Sequence, residues 1–318
     1  MLEDAVIPVV KKKQVNSYET KYYVGGISGD AVMDCMIVYP GIQVIHNRFH
    51  SFDTPSNSTG EKRHIEINHC LRGKYEGMLD KKYYAYLSPG ELSVSKWSMD
   101  RGDESFPLGY YEGMEILIDL ERAVENPVLS YFHIDLEELE QRLLSSHNLV
   151  LFGATDQIQH IFLEMYEVEE NIKLDYLKIK VLELLLFLSN TDFKIPQRSR
   201  SYYPRKQIEL IKEMKKYMAE HLSEHHDIRK LAEAYHINVH TLRKTFKDIY
   251  GVAIYRWLKE YRMEYSAKLL LETGQSILEI ANQVGYSNPS KYTEAFVKSF
   301  GITPQKYRKS HIKMDGFQ

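Results

Sequence analysis

Phe246-Lys-Asp-Ile-Tyr-Gly251 and Phe296-Val-Lys-Ser-Phe-Gly301 are two copies of one pattern, set about fifty residues apart. Each closing glycine is followed by an aliphatic residue (Val252, Ile302) and, six positions on, by an aromatic one (Trp257, Tyr307). Upstream, Ile228-x-x-Leu231-Ala232 is matched by Ile277-x-x-Ile280-Ala281. Short helical patterns broken by a turn and repeated at this period read as a duplicated helix-turn-helix across residues 227–308. Such a duplication is a device for reading DNA.

Working outward through the first copy, Asp227 is placed to cap a short helix that turns Ile228, Leu231 and Ala232 inward. His236 stands at the turn, where glycine is usual, and Asn238 caps the next helix. Leu242 and Phe246 share one face of that helix and anchor it, which turns His240, Arg243, Lys244 and Lys247 outward together. Arg243 and Lys244 carry the donors that read guanine O6 and N7. His240 joins them as a base reader, while Asn238, Thr241 and Lys247 are placed for the DNA backbone. A charged face on a lone helix is usually only solvated; the duplicated frame is what gives this one a role.

In the second copy Ser276 caps, Gly285 makes the turn, and Asn288 caps a helix whose first position is Pro289. Tyr292, Ala295 and Phe296 point inward, and Ser290, Lys291 and Glu294 point outward as base readers. Asn288 and Lys298 are the backbone contacts. Residues 254–271 between the copies read as an amphipathic helix of about 18 residues, about 27 Å long. A spacer of that order suits two recognition helices in successive major grooves, roughly 34 Å apart.

The stretch beginning Arg262-Met-Glu-Tyr-Ser-Ala and running through Ile280-Ala-Asn-Gln-Val-Gly-Tyr-Ser-Asn-Pro-Ser-Lys-Tyr-Thr-Glu-Ala-Phe296 to Phe300-Gly-Ile-Thr-Pro-Gln-Lys-Tyr-Arg308 resembles the AraC/XylS family of bacterial transcription regulators. The resemblance implies a seven-helix DNA-binding unit with two recognition helices, and activation or repression at promoters in partnership with RNA polymerase. It also implies an N-terminal domain that binds a small-molecule effector and forms a homodimer. His240, Arg243 and Lys244 fall on the family's base-reading positions. The second helix departs from the pattern: Glu294 stands where many relatives carry arginine, and Val297 where lysine is frequent. A carboxylate repels phosphate, although it accepts a hydrogen bond from cytosine N4. The first recognition helix is therefore expected to carry most of the sequence specificity.

The totals fit a two-domain protein. At 318 residues there is room for two cores, and an apolar fraction of 43% is ordinary for a globular chain. The net charge of −3 divides unevenly. Residues 201–318 carry 20 Lys and Arg against 13 Asp and Glu, whereas residues 1–200 carry 21 against 31. The basic part suits a polyanion and the acidic part does not. Met1-Leu-Glu-Asp lacks the features of a signal peptide, and Leu184-Leu-Leu-Phe-Leu188 is far short of a membrane span. Two cysteines are too few for a disulfide framework or a thiolate zinc site. The expectation is a cytoplasmic protein with no membrane partner, no cofactor and no enzymatic activity.

The expected fold class is α+β in two domains: a cupin-like β-barrel with appended helices, then an all-α double helix-turn-helix. Residues 1–190 form the effector-binding and dimerisation domain, with the barrel at about 20–120 and helices at about 135–190. Residues 191–206 read as a linker and 207–312 as the DNA-binding domain. Turn signals at Tyr39-Pro-Gly41, Arg72-Gly73, Ser88-Pro-Gly90 and Arg101-Gly-Asp103 separate short Val-, Ile- and Tyr-rich runs. In His64-Ile-Glu-Ile-Asn-His-Cys-Leu71 the alternation puts Ile65, Ile67, His69 and Leu71 on one face and His64, Glu66, Asn68 and Cys70 on the other. From Asp135 the period becomes helical, and Tyr176 to Leu188 is apolar nearly all round, which predicts burial on both sides, either wholly within the core or in part against a second subunit.

Glu66 to Glu76 and Tyr86-Leu-Ser-Pro-Gly-Glu-Leu92 resemble the same family's cupin-like sensor barrel. Phe106-Pro-Leu-Gly-Tyr-Tyr-Glu-Gly-Met-Glu-Ile116 resembles regulators for which siderophore or small-molecule sensing has been proposed. His64, Glu66, His69 and Tyr86 are the candidate effector-pocket residues. His64 and Glu66 alone give an incomplete metal pattern, because His69 lies on the other face of the same strand. Two further readings stay open: a metal-dependent cupin enzyme fused to a DNA-binding module, and a regulator that needs no effector.

Overall fold

In the computed structural model, which describes residues 9–25, 29–54, 63–79, 81–96, 104–145, 148–190 and 202–312, the alternating N-terminal segments form two antiparallel sheets. The larger runs, in spatial order, β1 (Val9–Gln14), β2 (Glu19–Val24), β3 (Asp30–Tyr39), β4 (Ile42–His50), β9 (Tyr111–Asp119), β5 (His64–Gly73), β8 (Glu91–Lys96) and β10 (Leu149–Gly153). The smaller runs β11 (Tyr202–Pro204), β7 (Tyr83–Leu87) and β6 (Tyr75–Leu79). Side chains alternate across a strand, so the large sheet has two different faces. Cys35, Ile45, Cys70 and Leu117 pack with Ala85 and Leu87 of the small sheet. Met36, Val44, Ile67 and Ile116 pack instead with the helices that follow.

Those helices are α1 (Leu120–Ala123), α2 (Pro127–Tyr131), α3 (Leu136–Leu144), α4 (Asp156–Glu167) and α5 (Lys173–Asn190). Asp135 caps α3 by accepting from the N–H groups of Glu137 and Glu138, and Thr155 caps α4 through the N–H of Ile158. Their inner stripes, Leu139 and Leu143, then Ile158, Ile161, Phe162 and Met165, are buried against the sheet. Each such side chain contributes roughly 1.5–3 kcal/mol of burial free energy.

Within one chain α5 is covered on one side: Leu177, Val181, Leu184 and Leu188 are buried, while Ile179 is 61% exposed and Phe187 36%. Two sequence expectations need correction. Leu149 to Gly153, in the stretch of about 135–190 expected to hold only helices, is an edge strand that pairs with β8. Residues 202–204, inside the expected linker, pair with β7, because Tyr202 and Tyr203 are strand formers that extend an open sheet edge. The opening Met1 to Asp4, the turn at 101–103 and linker residues 191–201 lie outside the described residues.

The chain divides into two compact units, Met1–Arg205 and Lys206–Gln318. The second is helical among its described residues: α6 (Arg205–Glu220) leads into it, followed by α7 (Ile228–Ala234), α8 (Val239–Tyr250), α9 (Ile254–Glu272), α10 (Ile277–Gln283), α11 (Pro289–Phe300) and α12 (Pro304–Ile312). The fifty-residue echo has a packing reason. In the first copy Trp257 sets its edge on Phe246 at 5.6 Å between centroids; in the second, Tyr307 does the same to Phe296 at 5.4 Å. The conserved spacing of phenylalanine, glycine and aromatic residue closes the same aromatic corner in both halves.

The 19-residue α9 serves both halves. Its later residues Met263, Ala267 and Leu270 enter one cluster with Ile280, Ala281, Tyr292 and Phe296. Its earlier residues Ile254 and Leu258 are buried as well. Two arginines tie these pieces through backbone carbonyls. Arg262 donates to the carbonyls of Leu222 and Glu224, and Arg308 to those of Leu270 and Gln275.

Candidate nucleic-acid interface

In each helix-turn-helix the second helix is fixed from its buried side. On α8, Leu242, Thr245, Phe246 and Ile249 are buried, which leaves His240, Arg243, Lys244 and Lys247 exposed. On α11, burial of Tyr292, Ala295 and Phe296 leaves Ser290, Lys291, Glu294, Val297 and Lys298 exposed. The base-reading sets expected from the sequence thus each share one outward face, one per helix.

The residues expected on the DNA backbone have local duties too. Asn238 accepts from the N–H groups of His240 and Thr241, and Asn288 from those of Ser290 and Lys291. Each caps its helix, so its side-chain carbonyl is already engaged; Thr241 is half-buried. The caps fix the N-terminal turns, where the positive end of the helix dipole favours an anion such as phosphate.

The turns differ between the copies. His236 adopts a left-handed backbone, φ +50°, at the α7–α8 turn, and Gly285 adopts φ +80° at the equivalent α10–α11 turn. At Gly285 a Cβ would stand 2.5 Å from the Leu222 carbonyl oxygen and 2.8 Å from the Arg262 guanidinium. No other residue fits there.

Sequence reasoning missed three contributors. Asp248 accepts from Lys244 Nζ at 2.6 Å on the exposed face of α8; the i, i+4 spacing was the available signal. Arg229 of α7 lines an open depression of about 600 Å³ together with Arg243, His236 and Glu233. Arg262 acts from outside either helix-turn-helix, and nothing local announces its carbonyl partners.

The candidate effector residues do not converge. His69 stacks on Phe162 of α4 at 4.4 Å and its Nε2 meets Gln159 Oε1 at 3.0 Å. Glu66 lies on the opposite face of β5 and accepts from Asn68. His64 stands 3.9 Å from Asp119. Tyr86, on the small sheet, donates to Glu76 at 2.5 Å and packs edge-on to Tyr203. Among the described residues no group of three or more His, Cys, Asp or Glu side chains is placed to hold a metal ion, and no helix is long and apolar enough to cross a membrane.

Residues 231–310 match the family model described as a helix-turn-helix domain. The chain is 30% identical to the thermoregulatory protein LcrF of Yersinia pestis over 223 residues, 68% of this chain and 80% of that protein. It is 26% identical, with the same coverage, to the virulence regulon transcriptional activator VirF of Yersinia enterocolitica serotype O:8 / biotype 1B. Among solved structures, that of unsaturated fatty acid bound ToxT from Vibrio cholerae strain SCE256 matches over 84% of this chain and 94% of its own, at 14% identity and a TM-score of 0.32.

Proposed function

The chain belongs to the AraC/XylS family of DNA-binding transcription regulators, and from that premise we propose that it controls promoters by laying α8 and α11 in successive major grooves, with α8 supplying most of the sequence specificity. One observation carries the proposal. The exposed face of α8 presents His240, Arg243, Lys244 and Lys247, whereas that of α11 mixes Ser290 and Lys291 with Glu294 and Val297. Arg243 and Lys244 read guanine, and Lys247 and Lys298 neutralise phosphate. Asn238, Thr241 and Asn288 set the N-terminal turns against the backbone.

The N-terminal unit, in this reading, binds a small-molecule effector and pairs with a second copy, and the assembled regulator engages RNA polymerase. The exposed Ile179 and Phe187 on α5 support the pairing, because apolar residues on an otherwise packed helix favour a protein partner. Mapping the sites occupied across the genome yields the operator, and affinity for that duplex is then measured against salt. Several Lys and Arg contacts to phosphate require a steep fall in affinity as ionic strength rises. A flat profile rejects the proposal.

A further inference from the structure

Between the helix-facing side of β2–β4 and the corner joining α4 to α5 lies a cavity of about 210 Å³. Met36, Val44, Met114 and Leu177 give it an apolar floor, and Glu19, Asp34, Glu170 and Lys173 a charged wall. Glu19 is only 4% exposed, and its Oε1 accepts no hydrogen bond; the Lys173 ammonium stands 3.7 Å away. Asp34 Oδ1 is also buried without a hydrogen bond, with Lys21 Nζ 3.3 Å from it, while Arg48 holds the other oxygen. Buried carboxylate oxygens without a hydrogen-bond donor are rare because their lost hydration is costly. Each faces a lysine ammonium that makes no aligned hydrogen bond to it, so two acceptor positions on one cavity are open to a further donor.

We propose that this cavity is the effector site and that its ligand is a small amphipathic cation, its primary ammonium meeting Glu19 and Asp34 and its carbons lying on Met36, Met114 and Leu177. The inference rests on the reading of the chain as an effector-responsive regulator. A primary ammonium offers three donors and no acceptor, the complement of two carboxylate oxygens. An anion entering the same space meets Glu19, Asp34 and Glu170 together, with Lys173 as the ammonium among the lining residues. The imidazole of His46, also on the wall, adds no opposing charge, because burial and then Arg48 hold its pKa below the ordinary value. The volume lies below the roughly 300–1,000 Å³ of most ligand pockets, so the occupant is small.

The location suggests how occupancy is transmitted. Glu19 and Asp34 belong to the sheet, while Lys173 and Leu177 belong to the first turns of α5. A ligand that bridges them ties α5 to the sheet and favours one presentation of its outward face, which carries Ile179.

The test uses the full chain titrated with n-hexylammonium, n-hexanol and hexanoate, read by calorimetry and thermal shift. Saturable binding of hexylammonium alone is expected. Glu19→Gln weakens it tenfold or more, and Met114→Trp abolishes it by filling the floor without touching the charges. Equal binding of the three probes, no binding of hexylammonium, or binding indifferent to both substitutions overturns the assignment. DNA affinity measured in parallel separates the two readings. A small-molecule extract that alters DNA affinity equally in wild type and both variants removes the effector from this cavity but keeps an effector. Hexylammonium that fills the cavity and leaves DNA affinity and self-association unchanged keeps the site but overturns its role as a switch.

Discussion

Lys244 Nζ lies 2.6 Å from Asp248 Oδ2, one turn further along the same exposed helix face. The side chain proposed to read guanine is thus held by a carboxylate of its own helix, and DNA would have to compete with that partner. An exposed i, i+4 pair contributes only about 0.3–0.5 kcal/mol, so the competition is easily won. Asp248→Asn removes both the competitor and a charge that repels phosphate. Its expected effect is roughly a twofold gain in operator affinity at low salt, from that same ~0.5 kcal/mol. The gain shrinks as salt is added. Weaker binding by Asp248→Asn in a fluorescence-anisotropy titration contradicts this account.

The two turns predict opposite responses to substitution. His236→Gly relieves a left-handed backbone carried by a residue with a Cβ and is expected to stabilise the second unit by about 1 kcal/mol. Gly285→Ala forces a Cβ into the Leu222 carbonyl and the Arg262 guanidinium, and costs about 2 kcal/mol or more. Urea denaturation of both variants reads the difference directly. Equal and small effects at the two positions discard the asymmetry.

His69 makes the N-terminal unit sensitive to acid. Burial holds its imidazole below the ordinary histidine value, against the opposing hydrogen bond that its Nε2 donates to Gln159 Oε1. As pH falls through about 6.5 the unfolded chain takes up a proton that the folded chain refuses. The stability contributed by His69 is therefore complete above that pH and is lost progressively below it. His46, lowered by burial and Arg48, adds the same sign. Tm followed from about pH 7.5 to 5.5 should fall, and His69→Gln should flatten part of the slope. A Tm that rises on acidification is incompatible with a neutral buried His69.

The outward face of α5 predicts self-association. Ile179→Asp places a charge at a 61% exposed position, so the fold tolerates it. Burial of one isoleucine in an interface is worth roughly 1.5–3 kcal/mol, which predicts self-association weakened by at least tenfold. Sedimentation equilibrium of wild type and variant measures this; an unchanged dimer removes α5 from the interface.

What could be read before the structure was local. The caps at Asp227, Asn238, Ser276 and Asn288, the turn at Gly285 and the aromatic corner after Gly251 and Gly301 all depend on neighbours within a few residues, so they are written into the repeat. Leu149 to Phe152 was not legible, since a short apolar run between helices has the same pattern whether it forms a strand or a buried helix. The Glu19–Asp34–Lys173 cavity was not legible either. Its wall comes from β2, β3 and the start of α5, brought together only by sheet pairing and helix packing. The candidate pocket residues His64, Glu66, His69 and Tyr86 are close in sequence, yet strand alternation and two separate sheets send them in different directions.

The most direct test of the central claim compares substitutions on the two recognition helices against one operator duplex. Arg243→Ala and Lys244→Ala on α8, and Ser290→Ala and Lys291→Ala on α11, are titrated at fixed salt. Loss of a base-reading contact on α8 is expected to cost about 1–3 kcal/mol and to relax the preference at the base pairs it reads. The α11 substitutions are expected to cost less. A larger loss from Ser290→Ala than from Lys244→Ala contradicts the dominance of the first helix.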